Sequence, residues 1–203
     1  MVVRYGMVID LRRCIGCGSC VMACKVSNGT PPGVFWCRPI WREVGKYPYA
    51  RIEMIPVNCM HCKDPSCQKV CPTGATQKRP DGIVIIDHTK CIGCRYCMIA
   101  CPYGVRFFLD KERTYFPDRK TPFEEVKYKR YEVGTVIKCD FCIERREVDK
   151  LPPACVDVCP TNARYFGDLD DPHSEVSVLI AKERARQLHP EYGTDPSVYY
   201  IMG

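Results

Sequence analysis

The sequence predicts an α+β chain made by duplication, with short β-hairpins, long insertions, and a C-terminal helix and tail. Three observations predict this class. Sixteen of the 17 cysteines fall into four quartets. Residues 7–24 (MVIDLRRCIGCGSCVMAC) align without a gap on residues 84–101 (VIIDHTKCIGCRYCMIAC), at a constant offset of 77. Short apolar runs bounded by turn residues lie beside the quartets, such as residues 83–86 after Pro80, Asp81 and Gly82.

The first quartet is Cys14, Cys17, Cys20 and Cys24, and the third is Cys91, Cys94, Cys97 and Cys101. Both read C-x2-C-x2-C-x3-C, and Pro102 follows the third. The second (Cys59, Cys62, Cys67, Cys71) and the fourth (Cys139, Cys142, Cys155, Cys159) keep the CxxC start and the CxxxCP end. They carry four and twelve residues in the middle. The compact run is the bacterial ferredoxin spacing, in which three cysteines bind one [4Fe-4S] cluster and the fourth reaches across to another. Four quartets therefore predict four [4Fe-4S] clusters on a duplicated bacterial 2[4Fe-4S] ferredoxin-like fold.

Several thiolates must converge from a short loop on a compact inorganic core. Gly16 and Gly93, inside the first CxxC of each compact run, supply the tight turn. Proline after the last cysteine fixes φ and removes a donor; Lys25 stands in its place in the first quartet. A disulfide framework does not require this repeated spacing, and 17 is odd. Zinc suits paired CxxC units, but not a single run of four cysteines with CP endings. Cys37, beside Trp36, belongs to no quartet and reads as a packed free thiol.

The quartets can pair as neighbours in order, or as an inner pair enclosed by an outer pair. The turn at residues 80–82 makes a hairpin of residues 75–87, joining the second quartet to the third. Residues 5–9 and 163–167 then pair as short strands and close the outer unit. On this reading Cys59, Cys62, Cys67 and Cys101 hold one cluster, and Cys91, Cys94, Cys97 and Cys71 hold its neighbour. Cys14, Cys17, Cys20 and Cys159 form the third set, and Cys139, Cys142, Cys155 and Cys24 the fourth. Residues 1–58 with 102–170 make the outer lobe, residues 59–101 the inner lobe, and residues 171–203 a C-terminal helix and extended tail.

The formal charge of +6 counts cysteine as neutral. An oxidised cubane with four thiolates carries about −2, so four of them shift the total by about −8 and leave roughly −2. The basic excess thus reads as compensation, with Lys25, Lys90, Arg95 and Lys138 nearest the quartets. No recognition helix or single-strand-binding signature accompanies it, so nucleic acid is not an expected partner. No apolar run approaches the ~18 residues of a membrane span. No signal-peptide h-region precedes Cys14, so the chain is expected to be soluble alone and to meet a membrane only through another subunit.

Residues 29–58 read as a long loop with one strand at 51–55, covering a cluster or meeting a partner. Residues 103–138 form a second, aromatic and charged insertion suited to docking on a larger subunit. After Gly167 a helix is expected with Asp171 as cap, Pro172 in the first turn, Val176, Leu179, Ile180 and Leu188 on one face, and Pro190 as its stop. Residues 193–203 are expected to be extended, packed on the chain's own body or on a partner. Apolar core between the cysteine loops is modest, so apoprotein is expected to fold poorly.

Along nearly its whole length the sequence resembles the electron-transfer (beta) subunits of complex iron-sulfur molybdoenzymes, in particular the polysulfide reductase and dimethyl sulfoxide reductase type. The likeness rests on the order of the quartets, PPGVFW at 31–36, VCPTGA at 70–75, FGDLDDP at 166–172, SEV at 174–176, PEYGT at 190–194 and VYYI at 198–201. The resemblance implies a large catalytic subunit carrying molybdenum or tungsten on a pterin, and an integral membrane anchor subunit that exchanges electrons with quinone. It implies the same inner-and-outer pairing of quartets. It also places the chain peripherally on a prokaryotic cytoplasmic membrane, with the periplasmic face preferred to the cytoplasmic one. In nitrate reductases a tryptophan replaces one cysteine of the third quartet; Cys94 stands at that place here, which implies four complete clusters. The chain is then a non-catalytic conduit within an oxidoreductase, and the alternative is a free soluble polyferredoxin.

Overall fold

The computed structural model describes residues 3–202. Strand β1 (Tyr5–Asp10) leads into the first quartet and helix α1 (Ser19–Asn28). A hairpin of β2 (Arg38–Val44) and β3 (Arg51–Val57) follows, then α2 (Ser66–Lys69), β4 (Thr76–Lys78), β5 (Val84–Ile86) and α3 (Tyr96–Ile99). The second insertion contributes β6 (Phe107–Phe108), α4 (Pro122–Lys127) and β7 (Val136–Ile137). The chain ends with α5 (Ile143–Glu147), α6 (Ala154–Asp157), β8 (Arg164–Asp168), α7 (Glu175–Glu183), β9 (Arg186–Gln187) and β10 (Val198–Ile201).

The two closures expected from the sequence are present. β4 pairs antiparallel with β5, Thr76 opposite Ile86, around a turn whose Gly82 takes φ +83°. β1 pairs antiparallel with β8, Tyr5 opposite Asp168 and Ile9 opposite Arg164. Alternation along β1 sends Met7 and Ile9 into the main core and Val8 to the other face, where it meets Val176 of α7 and Ile201 of β10.

Two expectations change. The strand expected at 51–55 is one arm of a hairpin, whose other arm is Arg38–Val44. That arm is largely exposed and so lacks the one-sided apolar alternation that marks a half-buried strand. The C-terminal helix is capped by Ser174, whose Oγ accepts from the Ser177 N–H, while Asp171 closes the preceding turn by accepting from His173. The helix ends at Glu183 because Arg184 turns left-handed (φ +50°), so Leu188 lies beyond it. Of the two placements expected for the tail, the structure shows packing on the chain's own body: β10 lies parallel to β1 in a four-stranded sheet ordered β8-β1-β10-β9.

The tail also reaches the residues around the second quartet. The Ser197 N–H donates to the Met60 carbonyl, and the Lys63 and Asp64 N–H groups donate to Asp195 and Thr194. Tyr200 is fully buried and donates to the Pro56 carbonyl at 3.0 Å. Tyr200→Ala is expected to cost about 4 kcal/mol in denaturant unfolding of the iron-loaded protein, from the cavity it leaves. Tyr200→Phe, losing only the hydrogen bond, should cost about 1 kcal/mol. Equal costs would show that packing is not what holds the tail.

The second insertion covers the end of α1. Thr121 and Glu124 form a capping box at α4 with Pro122 in the first turn, and Lys127 donates to the Ser27 carbonyl at 3.0 Å. Trp36 is buried edge-on to Tyr131, whereas Trp41 on the hairpin is exposed.

Candidate metal centres

The compact quartets share one local geometry. Gly16 and Gly93 take φ +70° and +68°, and the residues ahead of α1 and α3, Gly18 and Arg95, take +73° and +64°. The left-handed turns wrap the CxxCxxC loop, and the short helix that follows brings the next cysteine inward. The glycines differ in surroundings. A Cβ on Gly93 would sit 2.2 Å from the Gly134 carbonyl oxygen, whereas one on Gly16 would meet the Trp41 ring at 3.4 Å. Gly93→Ala is therefore expected to cost about 3 kcal/mol, combining left-handed strain with a backbone clash. Gly16→Ala should cost about 1 kcal/mol from strain alone, the two compared by chemical denaturation of iron-loaded protein.

The structure brings predicted cysteines of different quartets together. Cys14, Cys17, Cys20 and Cys159 line one small pocket with Ile9, Met54, Ala163 and Arg164. Cys71, Cys91, Cys94 and Cys97 line another with Thr76, Ile86 and Arg95. The Cys62 thiol faces Cys59, Cys67 and Cys101. Cys24 faces Cys142 and Cys155, and Cys139 lies beside Cys24 and Cys142. Asn28 Nδ2 donates to both Cys24 Sγ (3.6 Å) and Cys142 Sγ (3.7 Å), tying α1 to the fourth quartet. The neighbour of the first quartet is thus Cys159, and that of the third is Cys71.

These surroundings suit thiolate sulfur. Backbone N–H groups donate to sulfur just after both CP turns, Thr76 to Cys71 (3.4 Å) and Ala163 to Cys159 (3.2 Å). Burial pushes the Cys62 thiol up to about 12 and Cys142 up to about 11, and Cys24 and Cys139 well above the ordinary value. Such thiols hold their protons at neutral pH unless a cation replaces them, which is the behaviour of ligands whose protons leave when metal enters. Among the described residues no three His, Cys, Asp or Glu side chains gather to hold a single metal ion. The all-sulfur donor sets, spread around pockets, fit iron-sulfur clusters.

The basic residues singled out in the sequence take different roles. Lys25 is buried, with Nζ donating to the carbonyls of Thr30 (3.1 Å), Pro31 (3.0 Å) and Val34 (3.1 Å), so it clamps the loop after α1. Lys138 is buried too, donating to the Val84 and Cys139 carbonyls and joining the inner hairpin to the fourth quartet. Lys90 forms an exposed ion pair with Asp87, and Arg95 stacks 4.2 Å over the Phe108 ring. Cys37 is buried and engages Cys20: the hydrogen bond between the two thiols lowers the pKa of Cys20 and raises that of Cys37.

Sequence reasoning missed three buried polar residues. His61, inside the CxxC of the second quartet, accepts the Val84 N–H on Nδ1 and stacks on Phe141, at the same place in the fourth, with ring centroids 3.7 Å apart. Arg106 and Arg164 are 4% and 3% exposed. Their signal was available as the same CPxxxR spacing after Cys101 and after Cys159.

Comparison with known proteins agrees with this geometry. Models of 4Fe-4S dicluster domains match residues 13–75, 50–117 and 116–169. The chain is 43% identical to the arsenate respiratory reductase iron-sulfur subunit ArrB of Shewanella, over 98% of this chain and 96% of that protein. It is 43% identical to a selenate reductase subunit of Mesobacillus selenatarsenatis, over 98% and 72%. It is 40% identical to a sulfite dehydrogenase subunit of Allochromatium vinosum, over 98% and 82%. With its α+β, ferredoxin-like architecture, the chain belongs to the family of electron-transfer iron-sulfur subunits of complex molybdoenzymes.

Proposed function

We propose that the chain relays single electrons through four [4Fe-4S] clusters between a quinone-linked membrane anchor and a molybdenum- or tungsten-pterin catalytic subunit. What supports this reading most is that cysteines of different quartets lie together, Cys159 lining a pocket with Cys14, Cys17 and Cys20, and Cys71 one with Cys91, Cys94 and Cys97. We assign Cys14, Cys17, Cys20 and Cys159 to one cluster, and Cys24, Cys139, Cys142 and Cys155 to a second. Cys59, Cys62, Cys67 and Cys101 take the third, and Cys71, Cys91, Cys94 and Cys97 the fourth. Each cluster, when bound, takes up and releases one electron. The chain's part is to hold the sets close, exclude water from the inner ones and supply N–H donors and positive charge around the sulfurs.

The division into an outer lobe (residues 1–58 with 102–170) and an inner lobe (59–101) follows from the same assignment, with residues 171–203 completing the outer sheet. Cys17 and Cys94 are exposed, and beside them Ile15 and Ile92, at matched positions, are each about two-thirds exposed. These two compact loops suit the entry and exit of electrons at docked partners. The hairpin tip, with Tyr47 94% and Tyr49 86% exposed, offers further apolar surface to a large subunit. That surface favours a docked subunit over a free polyferredoxin.

No described helix is long and apolar enough to cross a membrane, so attachment is assigned to the anchor subunit. By the family likeness the complex lies peripherally on the prokaryotic cytoplasmic membrane, at its extracytoplasmic face. Anaerobic isolation from the native host tests the reading. The expected material is brown, co-purifies with a large pterin-containing subunit, and carries four reducible cubane signals. A monomer with no such companion would support the free carrier, and zinc without acid-labile sulfide would end the cluster assignment.

A further inference from the structure

Arg106 and Arg164 each follow the last quartet of their lobe. Each stands five residues after the last cysteine of a CP-ending quartet, Cys101 or Cys159, just before or at the start of a strand. In the inner lobe, Arg106 Nη2 donates to Cys67 Sγ at 2.9 Å and Nη1 to Thr76 Oγ1 at 3.2 Å, while Cys97 faces the same guanidinium. Cys67 and Cys97 belong to different cysteine sets. In the outer lobe, Arg164 Nη2 donates to Asn58 Oδ1 at 2.9 Å, and Nη1 lies 3.8 Å from Cys37 Sγ. Cys20 and Cys155, again from different sets, both face the Arg164 guanidinium. Its Nε is buried with no partner among the described residues.

Among the described residues neither arginine has a carboxylate partner. A buried guanidinium without a counter-ion is costly unless negative charge of another kind faces it.

We propose that Arg106 and Arg164 are the potential-setting residues of the two lobes, each placing one fixed positive charge between the two thiolate sets of its lobe. Reduction adds negative charge to a cluster, and a buried cation close by makes it easier by direct attraction. Because the charge is shared by two neighbours, it eases the reduction of both. This inference rests on the four-cluster assignment proposed above.

The test is a redox titration, followed by electron paramagnetic resonance, of the anaerobically isolated full chain with the subunits that accompany it. Arg106→Gln is expected to lower the reduction equilibrium constants of two clusters at least tenfold, about 59 mV for one electron. The other two should stay within threefold, and Arg164→Gln should move the complementary pair. Should either variant lose iron, Thr76→Asp and Asn58→Asp decide instead. Each sets a carboxylate against one guanidinium and cancels its charge with the arginine still in place, and the same pair of clusters should fall. Four unchanged potentials in iron-replete variants, or four that fall together, overturn the proposal. The cluster assignment fails separately, if wild-type protein lacks iron and acid-labile sulfide.

Discussion

Removing iron from the native protein, by anaerobic chelation after oxidation, is expected to abolish its cooperative thermal transition and its near-ultraviolet dichroism. The principal core is built partly from the proposed ligands: Cys20, Cys24, Cys59, Cys139 and Cys155 are buried in one cluster with Met7, Trp36, Met60, Ile83, Phe141 and Tyr200. Among the described residues three of the four sheets are two-stranded, and β4–β5 and β6–β7 are too short to persist alone. The helices beside three of the quartets, α2, α3 and α6, are four residues long, well below the length at which a helix holds in water. Structural metal in small domains contributes about 10–16 kcal/mol, which equals or exceeds the total stability of about 5–15 kcal/mol usual for a domain. An apoprotein melting within a few degrees of the native form would mean that the polypeptide core suffices.

Serine substitution should separate ligands by depth. Cys94 is exposed on a loop, so Cys94→Ser is expected to remove or convert one cluster while the proposed outer lobe keeps both of its own. Iron should fall by at most about a quarter, one cubane in four, with a single resonance signal lost or altered. Cys139 is buried in the principal core, beside Lys138, whose amine bonds the Cys139 and Val84 carbonyls across to the inner hairpin. Cys139→Ser leaves a buried hydroxyl and an incomplete set where the lobes meet, and should reduce the yield of folded, iron-loaded protein severely. Comparable yields and iron contents from the two variants would contradict this ranking.

The sulfur chemistry was legible because ligand spacing is a local property: four residues on one loop must reach one core, and that constraint is written in consecutive positions. The hairpin at Thr76–Ile86 was legible for the same reason, through its Pro-Asp-Gly turn. The closure of Tyr5–Asp10 with Arg164–Asp168 followed from the order of the quartets, although the partners lie far apart in the chain. What stayed hidden depends on environment. β2 shows no alternation because neither of its faces is well buried, and the parallel seat of β10 beside β1 has no local signal. Arg106 and Arg164 were passed over because arginine is rarely buried unless paired, and here the groups that face them are thiols. The C-terminal helix was drawn too long because nothing nearby marks Arg184 as a left-handed stop; glycine usually serves there.

The seat of β1 between β8 and β10 governs the order in which the molecule can be assembled. β1 leaves the ribosome long before either of its sheet neighbours, both of which are encoded after the fourth quartet. The segment from Cys59 to Cys101 can gather its eight cysteines while synthesis continues. Cys14, Cys17 and Cys20 must wait for Cys159, and β1 has no second flank until residue 201 has emerged. On the proposed ligand sets the outer half therefore matures after the inner one, and through that interval the growing chain carries unmet thiols that oxygen or a wrong metal can capture. Iron and sulfide would then have to reach the two halves at different times.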